Sequence, residues 1–213
     1  MAPSINIDFY PDEHRYAVDG VDTQSVTQVL QAEGLGGSQF WSEDDRRRGT
    51  AVHRIALLIG SSPIRGKSVE EIIFNSPWDP QTTAPILVGY GFAVARFYLE
   101  SGVRPRLIEK PVASRRHGIA GTLDGFGDLP SGQSLLWDFK SGQPQPAAWV
   151  QTALYAMCLE ESFGLKVDLR TVVWVKPDGS YKMAVPRPAG GTDLAVGISA
   201  INVYRWRVAN RMM

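Results

Sequence analysis

Leu135-Leu136-Trp137-Asp138-Phe139-Lys140 alternates two apolar faces around two charges, and the rest of the chain is best read outward from it. Side chains along a strand point alternately to opposite faces, so Leu135, Trp137 and Phe139 share one face and Leu136, Asp138 and Lys140 the other. Asp138 and Lys140 then point the same way, about 7 Å apart at the backbone. A carboxylate and an ammonium at that spacing can serve one reaction centre, the first as a hard oxygen ligand for Mg2+ and the second as a point charge beside an attacked phosphate. Taken alone, such a pair on a strand is usually a solvated cross-face pair, and what counts is the ordered set around it.

Upstream, the small and polar residues from Gly125 to Ser134 can return the chain as a hairpin, which would set Asp124 and Asp138 on neighbouring strands. Ala120 and Thr122 share the face of Asp124, so that strand is small-sided and a sugar-phosphate backbone can come close. Arg106–Val112 reads as the preceding strand, with Glu109 out of phase with Ile108 and Lys110. It is either a surface carboxylate or part of a metal shell. Between these strands, Ser114-Arg115-Arg116-His117 is either a solvated turn or a contact to a nucleic-acid strand at the edge of a cleft. Downstream, Ser141–Pro146 breaks the chain before a helix on which Gln151 and Tyr155 lie one turn apart, with Val150, Leu154 and Met157 facing inward. Tyr155 is either a core residue or one that stacks on a base or bonds a phosphate.

Towards the start of the chain, Ile5–Tyr10 and Arg15–Val18 are extended stretches around Pro11-Asp12-Glu13-His14, a small hairpin followed by a turn at Asp19-Gly20. Ser25-Val26-Thr27-Gln28 has the form of a capping box and opens a helix that stops at Gly34. After the Gly34–Gly37 break and Phe40-Trp41, a second helix begins near Ser42. Its acidic first turn and later Arg46-Arg47-Arg48 suit the helix dipole, as either a solvated face or a phosphate contact. Val52, Ile55, Ala56 and Ile59 form its apolar stripe, and His53 sits beside that stripe, either as a structural histidine or as a metal ligand.

Val69–Phe74 reads as a short helix and Ala84–Glu100 as a longer one packed on the sheet. Thr171–Lys176 and Tyr181–Val185 read as a closing hairpin, and residues 193 to about 211 as a last helix.

The ordered combination Gly49-x-x-x-His53, Gly121-x-x-Asp124, the apolar strand with Asp138-x-Lys140, and Gln151-x-x-x-Tyr155 resembles the PD-(D/E)XK nucleases. The likeness is to their RecB-like exonuclease branch, which includes phage exonucleases and the mitochondrial genome maintenance exonuclease. The hairpin leading into Ser25-Val26-Thr27 is also similar to that branch, and the resemblance spans roughly residues 5 to 185. It implies that His53, Asp124 and Asp138 hold one or two Mg2+ or Mn2+ ions and that Lys140 orients the attacking water. It also implies that Glu109 occupies a frequently acidic position of the site and that Gln151 and Tyr155 face DNA.

Length and composition agree with such an enzyme. A chain of 213 residues, 44% of them hydrophobic, suits one domain with a real core. The formal charge is zero, which speaks against a strongly basic non-specific clamp but leaves room for local cations in a cleft. The single cysteine, Cys158, rules out an intramolecular disulfide and an all-cysteine iron–sulfur cluster within one chain. With no leader-like segment and no apolar run of spanning length, a soluble, cytoplasmic protein without a membrane partner is expected.

The expected fold is therefore α/β, a mixed central sheet of about four or five strands flanked by helices. It has the outline of a restriction-endonuclease-like core with an N-terminal β-hairpin. Residues 1–213 form one domain: hairpin and helices to about 100, catalytic core about 104–185, last helix about 193–211. The expected function is Mg2+-dependent hydrolysis of DNA phosphodiester bonds, as an exonuclease on free ends or single strands, with a protein partner in DNA repair or recombination. The alternatives are a nucleic-acid-binding module that kept the fold without catalysis and a structural or interaction subunit.

Overall fold

Residues 135–140 form the buried middle of a mixed sheet in a computed structural model, which describes residues 5–11, 13–36, 42–61 and 67–212. In chain order, the first elements are strands β1 (Ile7–Tyr10), β2 (Arg15–Val18) and β3 (Val21–Ser25) and helices α1 (Val26–Ala32), α2 (Glu43–Gly60), α3 (Val69–Phe74) and α4 (Pro85–Ser101). Strands β4 (Arg104–Ser114), β5 (Ile119–Asp128) and β6 (Ser134–Lys140) follow, then helix α5 (Ala147–Phe163). Strands β7 (Leu169–Val175), β8 (Tyr181–Met183) and β9 (Arg187–Pro188) and helix α6 (Thr192–Ala209) complete the set. Gly37, Phe40 and Trp41 of the glycine break, and Asp12 of the first turn, lie outside the described residues.

The architecture is α/β, with parallel and antiparallel pairs in one open sheet, helices on both faces and an N-terminal hairpin from β1 and β2. The alternation of β6 builds the layers. Leu135, Trp137 and Phe139 pack with the apolar stripes of α2, α3 and α4, and Leu136 packs with α1, α5 and α6. Both faces of the strand are thus covered, and burying side chains of this size contributes roughly 1.5–3 kcal/mol each. Five of its seven residues are fully buried or nearly so, Asp138 among them.

The sheet holds nine strands rather than four or five. The hairpin strands β1 and β2 join it through β3, and the strands that sequence does not announce, β3 and β9, are short and mostly polar, with too little apolar alternation to be read locally. The 125–134 segment also differs from expectation. β5 continues to Asp128 and only residues 129–133 turn, because Phe126 is a core residue that pairs with Leu136. Helix starts follow the sequence closely: Ser25 with Gln28, Ser42 with Asp45 and Ser68 with Glu71 each form reciprocal capping boxes. Such a cap is worth about 1 kcal/mol.

One topological feature positions the site. From Ile119 to Asp128, save at Asp124, β5 pairs with β4 on one edge. On the other edge it pairs with β3 at Ile119 and Ala120 and with β6 from Gly125 to Asp128. Residues 121–124 have no ladder partner on that edge, so β3 and β6 part there. No helix among the described residues is long and apolar enough to cross a membrane.

Candidate metal centre

At this parting of the strands, Asp124 replaces the missing ladder bond. Its Oδ2 accepts the Phe139 backbone N–H at 2.5 Å, which ties the two strands together through a carboxylate. Opposite Asp124, Glu109 has φ +45°, in the left-handed region that a non-glycine residue occupies at a cost of order 1–3 kcal/mol. The β4–β5 ladder runs from Ile108–Gly125 to Lys110–Leu123 and passes over both acidic residues. The kink also shifts the phase of β5: Leu123 and Phe126, three apart, both join the core layer of α1, α5 and α6, while Gly125 faces Trp137. An added Cβ at Gly125 would lie 2.0 Å from the Trp137 indole, so glycine is required there by contact.

The kink brings both carboxylates to His53 on α2. His53 Nδ1 lies 3.2 Å from Glu109 Oε1 and 3.3 Å from Asp124 Oδ1. One ligand atom from each of His53, Glu109 and Asp124 falls within 4.8 Å of the others, a spread that one cation can bridge. The side chains grade from nearly sealed to open: Asp124 is 5% exposed, Glu109 19% and His53 33%. The cluster therefore communicates with solvent on the His53 side.

Asp138 lies deeper, with its side chain 1% exposed and Lys140 Nζ 2.8 Å away. Asp138 Oδ2 faces that ammonium as an ion pair, and among the described residues neither oxygen has a further hydrogen-bond donor. A buried carboxylate in that state costs free energy unless a cation completes its shell. Lys140 is itself held by Gln151 Oε1, which accepts its Nζ at 3.0 Å, and Gln151 Nε2 donates to the Tyr155 hydroxyl at 2.9 Å.

The electrostatics reflect this crowding of acids. Burial pushes the Glu109 carboxyl up to about 7, the His53 bond pulling against it and Asp124 adding to it. Burial likewise pushes Asp138 up to about 6, against the pull of Lys140. For His53, burial opposes the charged form, but the charges of Asp124 and Glu109 and their hydrogen bonds outweigh it and raise the imidazole well above its ordinary value. Lys140 is raised in the same way, its burial outweighed by Asp138 and Asp124.

Of the residues singled out from sequence, His53, Glu109 and Asp124 converge within the shortest span, and Asp138 with Lys140 forms an adjoining pair. Of the expected ligand set of His53, Asp124 and Asp138, the first two join Glu109 in the compact cluster, where the kink at its own backbone swings Glu109 inward, and Asp138 lies beside it. Gln151 and Tyr155 were expected to face DNA. Tyr155 is instead 4% exposed, with its ring against Gly121, so it cannot stack on a base; it braces Gln151, which braces Lys140.

Arg115 and Arg116 are not brought to the site. They stand at the β4–β5 turn, where Arg115 is bonded to Asp19 and the Arg116 backbone donates to Glu161. That turn is five strand residues from Asp124, about 16 Å. The face of Ala120 and Thr122 is not open either. Tyr16 of the hairpin covers it, joining the Ala120 cluster and sharing a 2.9 Å hydrogen bond with Thr122.

Two residues near the site had no signal in the sequence. Tyr16 and His14, on the hairpin, reach it only because β3 docks on β5. Burial and the neighbouring His53 lower the His14 pKa. Tyr98 of α4 lies against Gly60, with its hydroxyl buried and pushed up by burial and by the Glu109 and Asp124 charges.

No protein-family model matches the chain, and no curated protein matches it. Among solved structures, one described as the crystal structure of SSO0001 aligns over 84% of this chain and 84% of its own at 13% identity and a TM-score of 0.34. A likeness that loose carries no argument about what the chain does.

Proposed function

We propose that this chain is a metal-dependent nuclease of the PD-(D/E)XK type that hydrolyses DNA phosphodiester bonds, as an exonuclease on single strands or free ends. One observation carries the proposal: a solvent-reaching His53–Glu109–Asp124 cluster adjoins a buried Asp138 that is ion-paired with Lys140. The donor set fits a hard divalent cation such as Mg2+ or Mn2+, with one imidazole and carboxylate oxygens. His53, Glu109 and Asp124 would hold it, with Asp138 beside them. Such a cation, when bound, supplies Lewis acidity to the phosphate and lowers the pKa of a bound water.

The chain's own residues account for the rest. Lys140 carries a positive charge that can stabilise a developing anion, and its raised pKa makes it an orienting group rather than a base at neutral pH. Gln151 limits where that charge can go. Asp124 serves two ends, with Oδ2 fixing β6 and Oδ1 facing His53.

The test is digestion of linear and circular, single- and double-stranded DNA with Mg2+, Mn2+ or EDTA, alongside Asp138→Ala and Lys140→Ala. Loss of linear substrate only with metal, abolished in both variants, is expected. Unchanged activity in Asp138→Ala at equal circular dichroism would refute the assignment.

A further inference from the structure

Resting on that nuclease reading, the geometry points to a phosphate track along one face of α2, in which Arg46 and Gly49 seat the single strand that leads to His53. On a helix of 3.6 residues per turn, Arg46, Gly49, Thr50 and His53 share one side, the seven steps from Arg46 to His53 covering about 10 Å of axis. The buried stripe of the same helix, Val52, Ile55, Ala56 and Ile59, lies on the adjoining side, which leaves this face half open.

Two observations set the track apart from an ordinary solvated helix. The first is the fate of the three consecutive arginines. Arg47 is paired with Glu43 and Arg48 with Asp45, each within one turn, so their charges are answered on the helix itself. Arg46 makes no such pair among the described residues and is exposed. It is also the only one of the three in phase with His53, while Asp44 lies on the opposite side of the helix and Glu43 is occupied by Arg47. The second is Gly49, one turn before His53. A Cβ added there would meet nothing within 4 Å, so the helix surface one turn before His53 has room above it. Glycine weakens a helix interior relative to alanine, which makes its presence here a matter of room rather than of folding.

A phosphodiester backbone whose reacting phosphate sits at His53 can pass over Gly49 and present a neighbouring phosphate to the Arg46 guanidinium, whose planar donor fork suits such an anion. Arg46 lies too far along the axis to reach the phosphate being cut. It is a binding residue for the strand, not a member of the reacting centre.

The experiment measures binding of a fluorescein-labelled 12-residue oligothymidylate, with Ca2+ in place of Mg2+, over a range of salt concentrations. Wild type, Arg46→Ala, Arg47→Ala and Gly49→Leu are compared. Neutralising one phosphate contributes about 0.7 to the slope of log K against log salt for a single strand, so Arg46→Ala should flatten the slope by about that amount while Arg47→Ala leaves it unchanged. Gly49→Leu, which fills the open space, should weaken binding without lowering the melting temperature. Equal slopes for wild type and Arg46→Ala, or equal losses from the two arginine variants, would overturn the track, as would wild type that does not bind. Digestion with Mg2+ is run in parallel. A slope change specific to Arg46 in a protein that digests nothing would leave the track standing and remove the nuclease reading.

Discussion

The Lys140 ammonium donates to Gln151 Oε1 at 3.0 Å, so the one lysine of the site is held from an adjoining helix as well as by the aspartate two residues before it. A flexible four-carbon stem would otherwise let that charge wander, and the β6–α5 connection prevents it.

Gln151→Ala should therefore act through Lys140. With the lysine released, kcat should fall about tenfold with little change in KM. Lys140→Ala should cost about 100-fold or more, as expected when a charge that stabilises a transition state is removed. In the double variant the two losses should not add. Steady-state kinetics on one linear substrate checks this, and full additivity would mean that Gln151 acts on something else.

Stability should fall as pH rises. Glu109 and Asp138 have folded pKa values near 7 and 6, above their ordinary values, because burial disfavours their charged forms. His53 is raised as well, by Asp124 and Glu109 against its own burial. Each of these groups binds its proton more tightly when folded, so its stabilisation is present below its unfolded pKa and is lost as pH passes its folded one. Carboxyls held low, such as Asp168 under the Ser134 N–H, lose theirs only in acid, below about pH 4. Metal-free protein should melt at a lower temperature at pH 8 than at pH 5.5, and Asp138→Asn should reduce the difference. Saturating Mn2+ should raise the melting temperature more at pH 8, because the cation no longer competes with those protons. A metal-free melting temperature that rises from pH 5.5 to 8 would contradict the assignment of these shifts.

Mn2+ should activate at lower concentration than Mg2+. Mg2+ favours oxygen ligands in strict octahedral geometry, whereas the cluster offers an imidazole nitrogen. Replacing His53 with Asp should narrow the gap between the two metals. Activation curves for both metals on wild type and His53→Asp decide the point.

Gly125→Ala should destabilise the fold by about 1–3 kcal/mol, since the new methyl collides with a Trp137 that has no room to retreat. Gly49→Ala, with open space around it, should be neutral or stabilising. Chemical denaturation of both variants tests the pair, and equal effects would contradict the packing described.

What was legible in the sequence follows from how local each signal is. The strand around Asp138 could be read because alternation is a property of adjacent residues, and the Ser25 cap and the helix start at Ser42 because such a cap spans only four. The hairpin that sets Asp124 beside β6 was legible from its turn residues. Glu109 could be placed on a strand, with a surface position and a metal shell both open to it, since its inward swing depends on a backbone kink that no neighbouring residue type announces. Tyr155 was misplaced for a related reason: its spacing from Gln151 says which side of the helix it takes, while the glycine that receives its ring lies on another strand. Tyr16 and His14 depend on β3 docking against β5, a contact between segments nearly a hundred residues apart, and no local pattern encodes it.

The central claim is that His53, Glu109 and Asp124 share a cation, and anomalous diffraction from a crystal soaked in Mn2+ tests it most directly. The account predicts a peak about 2.0–2.6 Å from a nitrogen of His53 and from oxygens of Glu109 and Asp124, lost in Asp124→Asn. A Mn2+ peak elsewhere on the molecule, with none at this cluster under saturating metal, would contradict it.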